Sequence, residues 1–308
     1  MSDVGSGGAA GGELGSLGNI AIPPFAVRPD PEALFLRRSD RFRALADGNP
    51  LKPYLIFLAD LASAQHWIQQ ELPPVTAPGP EMLARARTHG MPPLDRQGFV
   101  PDAACTATLD RLLAVFADCE MPDPARAALG SVVAADPASR TVMMRAVLAD
   151  AIPVEAIAGH VLVAAALQVH FARLAARLDT ASLSALGDGV CPACGGRPVV
   201  SLIAERHGAN AARYCVCALC STQWSYVRIK CTACGSTKGI SYQEIEGGGG
   251  TIKAETCSEC GSYAKVLHHN KDTALDPVAD DVATLGLDLL VRETGLRRAS
   301  TNPFMLSF

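Results

Sequence analysis

The chain has 308 residues, 49% of them hydrophobic and 5% aromatic, enough for about two ordinary domains with a real core, which excludes a disordered polymer. Ala and Leu dominate the first two thirds, which favours helices over a large β-sandwich. The 27 basic and 31 acidic residues leave a net charge of −4, which argues against a general nucleic-acid or anionic-membrane binder.

Residues 1–19 are a Gly/Ala/Ser-rich tail expected to be disordered. Its Gly5-x-Gly7-x-x-Ala10 imitates a dinucleotide fingerprint, but no strand pattern precedes it and no helix pattern follows. No basic start leads into an apolar run. Arg37-Arg38 is followed by Ser39-Asp40-Arg41, so these arginines read as helix-surface charges and not as an export motif.

The pattern over 20–186 is helical. Asn49-Pro50 caps a helix with Leu51, Leu55, Leu58, Ala62, Ile68 and Leu72 on one face. Pro101-Asp102 opens another, striped by Leu109, Leu112, Leu113 and Phe116. Asp136-Pro137 opens a third, with Val142, Met143 and Val147. Leu72-Pro73-Pro74 and Met91-Pro92-Pro93 are breaks. From Pro153 to Leu178 the chain is apolar on several faces yet interrupted by Glu155, His160, Gln168, His170 and Arg173. That describes a central buried helix, not a membrane span. His160 and His170 read as core or edge histidines, and Cys105 and Cys119 as small core residues.

Gly187-Asp188-Gly189 marks a sharp change of composition. Beyond it lie β-type runs at Pro198–Ile203, Gln223–Ile229, Gly239–Ile245 and Tyr263–Leu267, set between cysteine turns. After about residue 270 a helix returns. Asp276-Pro277 caps it, Val278, Val282, Leu285 and Leu289 share a face, and Gly295 stops it. Asp280 and Asp281 read as first-turn cap charges, not as an acid/base pair.

Of the 11 cysteines, nine lie between Cys191 and Cys260. Eight of these form C-x-x-C pairs: Cys191/Cys194, Cys217/Cys220, Cys231/Cys234 and Cys257/Cys260. The first two pairs recur as the last two at an offset of 40 residues, with Gly195 and Gly235 in matching positions, so one module has been duplicated. A C-x-x-C turn sets two sulfurs on one side of a tight knuckle, and Gly after it lets the backbone turn sharply. Two knuckles joined by a hairpin provide four thiolates in a tetrahedron, a set suited to Zn²⁺ or mononuclear iron. The repeat favours one site from Cys191, Cys194, Cys217 and Cys220 and a second from Cys231, Cys234, Cys257 and Cys260. The alternative joins the two middle pairs and leaves the outer pairs to find each other. Gly247–Gly250 is the expected tip of the second hairpin. Cys215 falls opposite Glu255 in the repeat, so it is a free thiol beside the sites. His268-His269 follows closed four-thiolate sets and reads as surface. No G-x-S-x-G, G-x-x-x-x-G-K-[ST] or H-E-x-x-H occurs. The charge of +2 over 187–270, from 8 basic and 6 acidic residues, is too small for a ribbon that grips DNA or RNA.

The order of a helical region, Cys191-Pro192-Ala193-Cys194-Gly195, Cys217–Cys220 with Thr222 and Trp224, Cys231/Cys234 and Cys257–Tyr263 resembles the FdhE family of formate dehydrogenase accessory proteins. Val278-Ala279-Asp280-Asp281 and the Asn302-Pro303-Phe304 tail fit as well. The likeness is specific over about 187–308 and rests mainly on helical character over 30–186. The Gly-rich start and Cys215 are departures. The resemblance implies a mainly α N-terminal domain (20–186), two tandem small β modules of rubredoxin-like or zinc-ribbon type with four cysteines each (187–230 and 231–270), and a C-terminal helix and tail (271–308). It also implies a cytoplasmic assembly factor, not an enzyme, that is needed to mature respiratory formate dehydrogenase and contacts its catalytic subunit before export. Two mononuclear metal ions per chain are implied, iron from the family and zinc by the same thiolate chemistry. No nucleic acid or membrane insertion is expected, and a homodimer stays open. The competing readings are a rubredoxin-like electron carrier and a binding module whose sites are purely structural.

Overall fold

Proline and aspartate place most of the helix starts. The structure, a computed structural model, describes residues 23–206 and 209–305, so the Gly-rich tail and its Gly5-x-Gly7 pattern lie outside the described residues. The N-terminal body consists of α1 (Pro31–Ala46), α2 (Lys52–Ile68), α3 (Pro80–His89), α4 (Ala103–Ala117), α5 (Asp123–Ala134), α6 (Pro137–Leu148) and α7 (Ile157–Ala175). Asp102 Oδ1 accepts the Cys105 N–H at 2.7 Å, and Asp136 Oδ1 accepts those of Ala138 and Ser139 at 2.8 and 2.9 Å. Both are the expected N-caps. Asn49 is not one. Its Oδ1 accepts the Leu51 N–H at 2.9 Å and closes a turn, and α2 starts only at Lys52, with proline in its first turn.

The core-facing stripes of α2 and α4 are the expected ones, with Leu55, Leu58, Leu109, Leu112 and Phe116 buried. On α6 the expected stripe holds in part: Val147 is buried and Met143 packs partly buried against the core. Val142 is 66% exposed, and Met144, Val147 and Leu148 face inward. Fourteen of the nineteen residues of α7 are buried, because α2, α4, α5 and α6 all pack on it. The stretch Val154–Ala175 is long and apolar enough to cross a membrane, but 67% of its apolar 18-residue window is already covered by the rest of the fold, as a core helix requires. Of its polar residues, Gln168 is satisfied from neighbouring elements, whereas neither ring nitrogen of His170 has a hydrogen-bond partner among the described residues. Gln168 Nε2 donates to Ala218 O at 2.8 Å, and its Oε1 accepts from Gln65 at 3.3 Å and Arg38 at 3.4 Å. His160 bonds Ala156 O through Nδ1 at 2.7 Å. His170 packs against the rings of Phe99 and Phe171, which also touch each other, and burial lowers its pKa.

The β region follows as β2 (Pro198–Arg206), β3 (Ala209–Cys217), β4 (Gln223–Ser225), β5 (Ile240–Gln243), β6 (Ile252–Cys257) and β7 (Ser262–Leu267). The two repeats are not separate bodies. Parallel pairing of Ser201 with Val266 and Leu202 with Leu267 fuses them into an eight-stranded sheet of order β1-β4-β3-β2-β7-β6-β5. The added strands are β1 (Ala26–Val27), which pairs with β4, and β8 (Arg297–Arg298), which pairs with β7. The otherwise helical body therefore begins with a strand of the ribbon sheet. β4 ends at Ser225, short of the expected Ile229, and Val227 and Ile229 stand exposed. β3 and β6 carry Ala, Asn, Lys and Glu and no alternating apolar run. They are strands because each lies between partners in the sheet.

Gly189, at the composition boundary, has φ +63°, and a Cβ there would sit 2.1 Å from Thr232 O. The backbones of the two repeats touch at this point. Gly189→Ala is expected to lower unfolding free energy by about 3 kcal/mol, from left-handed strain plus that clash, measured by urea titration of the two proteins side by side.

The C-terminal helix is broken. Asp276 caps it as expected, accepting the N–H groups of Val278 and Ala279 at 2.9 and 2.8 Å. α8 (Ala279–Ala283) then stops at Thr284, and α9 (Leu285–Glu293) continues on a rotated face. Leu287, Asp288 and Val291 are buried there and Leu289 is exposed. Lys265 causes the break. Its ammonium donates to Asp281 O, Thr284 O and Thr284 Oγ1 at 2.7, 3.1 and 3.0 Å. Gly295, at φ +83°, follows the end of α9.

Candidate metal centres

The duplication persists to the level of single hydrogen bonds. In the first knuckle the Gly195 N–H donates to Cys191 O at 2.9 Å, and the Cys191 N–H donates to Gly196 O at 2.9 Å. In the second, Gly235 donates to Cys231 O at 3.0 Å and Cys231 donates to Ser236 O at 2.8 Å. Gly195 and Gly235 both take left-handed φ, +77° and +73°, which is why glycine stands there. The facing knuckles match too. Cys220 Sγ lies 3.2 Å from Thr222 Oγ1, and Cys260 Sγ lies 2.9 Å from Ser262 Oγ. Ser221 and Gly261 share positive φ, +57° and +64°.

The sulfurs gather as the repeat favours, not by joining the middle pairs. Cys191 and Cys220 are 3.6 Å apart and Cys194 and Cys217 3.4 Å. In the second cluster Cys231–Cys260 is 3.7 Å and Cys234–Cys257 is 3.8 Å. All four sulfurs of each set lie within 4.8 Å of one another. A tetrahedron of thiolates about 2.3 Å from a central ion has edges of about 3.8 Å. Both sets therefore fit a four-thiolate ion without rearrangement. The backbone supports thiolate charge as well. Leu219 and Cys220 N–H donate to Cys217 Sγ at 3.4 and 3.5 Å, and Ala233 N–H donates to Cys231 Sγ at 3.3 Å. Burial pushes the Cys191 thiol far up. Cys217 is equally buried, yet the hydrogen bonds of its three neighbours hold it well below the ordinary thiol range. Four converging sulfurs that cannot all ionise in the core without a counter-charge form a site for a cation.

The two clusters differ in their surroundings. The first is sealed: all four of its cysteines are buried. The helical body clamps it, with Leu94 and Arg96 N–H donating to Ala193 O and Cys194 O at 2.9 and 3.1 Å. In the second, Cys234 is exposed and Cys260 half-buried. Against its partial burial, hydrogen bonds from Ser262 and the other three thiols lower Cys260 to about 7. Exposure and thiolate character set alkylation rates. With N-ethylmaleimide, Cys260, by its thiolate character, and Cys234, by exposure alone since its thiol is pushed up to about 12, should therefore be modified before any cysteine of the first cluster, by about ten-fold or more in rate for Cys260, as read by peptide mass spectrometry. Simultaneous labelling of both sets would contradict the difference.

Cys215 is buried on β3, 3.8 Å from Ser201 Oγ, with its thiol pushed by burial up to about 11. It belongs to neither cluster. Cys105 is a core residue beside Met144, and Cys119 is half-buried. His268 and His269 are half-buried and join neither set of sulfurs.

Several charges have roles other than those expected from sequence. Arg38 is no surface charge: it is 1% exposed and pairs with Asp276 at 3.3 Å. Asp280 and Asp281 are buried ion-pair partners and not merely cap charges. Asp280 binds Arg41 at 2.7 Å, and Asp281 binds Arg298 at 2.5 Å and Lys265 at 3.3 Å. Lys265 also holds Asp288 at 2.5 Å. Arg213 of the first repeat and Glu255 of the second form a buried two-pronged pair at 2.9 and 2.8 Å, and Tyr242 donates to the same carboxylate at 2.9 Å. Arg213 also donates to the carbonyls of Val227, Arg228 and Lys230. The pair thus ties the linker between repeats to both of them. A signal for it lay in the repeat itself, where Glu255 falls opposite Cys215, one strand alternation from Arg213.

Comparison with known proteins covers the chain in three consecutive pieces. Family models described as "FdhE, N-terminal", "FdhE, central domain" and "FdhE, C-terminal domain" match residues 23–188, 190–228 and 229–305. A "Protein FdhE homolog" of Rhizobium meliloti (strain 1021) is 45% identical over 294 residues, covering 95% of this chain and 96% of its own. One from Edwardsiella ictaluri (strain 93-146) is 37% identical over 298 residues, covering 94% and 93%. The crystal structure of the FdhE protein from Pseudomonas aeruginosa is similar with a TM-score of 0.82 at 32% identity, covering 92% of this chain and 99% of that one.

Proposed function

The chain belongs to the FdhE family, and on that premise we propose that it is a cytoplasmic accessory protein in the maturation of respiratory formate dehydrogenase. It binds the catalytic subunit of that enzyme before export and is not itself an enzyme. The observation that carries the reading is the match of all three family models along the chain, combined with the two four-cysteine clusters. Cys191, Cys194, Cys217 and Cys220 hold one mononuclear ion, and Cys231, Cys234, Cys257 and Cys260 hold another, with iron favoured and zinc suited to the same donors. Once bound, such an ion cross-links two knuckles and, if it is iron, adds a one-electron couple.

The chain's own residues divide the work. The first cluster is wedged between α7 and the sheet, where Gln168 reaches the Ala218 carbonyl at 2.8 Å. Its place is structural, joining body to sheet, as closed thiolate sites generally do. The half-open second cluster favours a further reading, a redox or electron-transfer role for that site alone. Deleting the gene should abolish formate dehydrogenase activity while leaving the transcript of the catalytic subunit intact; unchanged activity would remove the proposal. Elemental analysis of protein purified without oxygen is expected to give two ions per chain. A colourless protein containing only zinc would remove the redox reading but not the accessory one.

A further inference from the structure

A cleft of about 680 Å³ lies between the helical body and the sheet, within the range of ligand sites (~300–1,000 Å³). Cys234 and Cys260 of the half-open cluster line it, and Ile152, Ile157 and Leu219 are part of its apolar surface. It is also rich in arginine. Arg96, Arg197, Arg297 and Arg298 line it, against a single carboxylate, that of Asp150. Arg96 already holds Asp150 at 2.9 Å. Arg298 is neutralised by Asp281 and Asp288, which do not line the cleft. Arg197 and Arg297 are exposed, and neither has an ion-pair partner among the described residues. Ser300 lines the same cleft, and its buried hydroxyl has no hydrogen-bond partner among the described residues.

Two unneutralised guanidinium groups beside apolar side chains and an unused hydroxyl form a surface complementary to carboxylates carried on an apolar chain. We propose that this cleft grips the client through an extended segment of the formate dehydrogenase catalytic subunit that bears both carboxylate and apolar side chains. The inference rests on the functional reading above. Arg197 and Arg297 receive the carboxylates, and the segment covers the open side of the second cysteine cluster.

The test is direct binding of the full-length protein to purified catalytic subunit. The doubly substituted Arg197→Glu/Arg297→Glu protein is compared with Arg85→Glu/Arg87→Glu on exposed α3, which changes net charge equally. The cleft variant should bind about ten-fold or more weakly, and the α3 variant within about two-fold of the original. Melting temperature and metal content of the cleft variant should be unchanged. Unaltered binding by the cleft variant overturns the proposal, as does equal weakening in both variants. Loss of metal on charge reversal would mean that the arginines serve the thiolates, and it also overturns the docking site. So would micromolar binding of inorganic phosphate alone that disappears in the cleft variant, since the cleft would then hold a free anion. If the unmodified protein does not bind the catalytic subunit at all, the functional reading itself fails and takes this inference with it.

Discussion

Cys191→Ser should cost the protein its fold as well as a metal ion, whereas Cys234→Ser should cost the ion alone. Cys191 is fully buried within the main hydrophobic core, alongside Leu94, Val169 and Phe171 of the helical body. Removing one ligand leaves three thiolates around a weakened cation site in that core, and an uncompensated buried charge costs about 3–5 kcal/mol. The binding energy of a closed thiolate site is also folding energy. Body and sheet meet at this cluster, so they should separate or melt together. Cys234 is exposed and its neighbour Cys260 is half open to solvent, so charge left there is screened by water and the expected loss of stability is small beside that of Cys191→Ser. Urea unfolding with elemental analysis of each variant reads both quantities. Equal destabilisation by the two substitutions would show that the clusters play the same part.

The second large effect is expected at Lys265, which lies completely buried beside Asp281 and Asp288. Lys265→Met fills a similar volume but leaves Arg298 as the one cation beside the two carboxylates, with only the neutral donors Asn302 and Tyr263 to help it, and strips three hydrogen bonds from the α8–α9 break. The expected loss is again about 3–5 kcal/mol. Adding Asp288→Asn should restore part of it, because one uncompensated charge is then removed. Strict additivity of the two losses would contradict a shared network. The sign of the pH dependence follows from Asp281. Although its burial acts to raise the pKa, Arg298 and Lys265 hold it below the usual 3.8. A carboxylate depressed on folding contributes stability above its unfolded pKa and loses it as pH falls through the folded value. The unmodified protein should therefore keep this contribution at neutral pH and lose it only in acid below about pH 3.8, and Lys265→Met should flatten that part of the curve.

What the sequence determined alone is local or periodic. Covalent spacing sets the C-x-x-C knuckles and their left-handed glycines, so all eight clustered cysteines are legible from a 40-residue repeat. The Asp102, Asp136 and Asp276 caps need only four consecutive residues, and the apolar character of α7 announces a core helix before any neighbour is known. The tertiary structure alone decided which charges meet. Arg38 and Asp276 are 238 positions apart and Arg41 and Asp280 239, and no local pattern in either segment encodes the other. It also decided that the repeats share one sheet, because the parallel contact of β2 with β7 is only two residue pairs long and is secured by the distant Arg213–Glu255 pair. Above all it set the difference between two clusters of identical spacing. The ligand pattern carries only the geometry of the thiolates, and their exposure is fixed by whatever the rest of the chain packs against them, here α7 and the 94–96 loop on the first cluster and an arginine-lined cleft on the second.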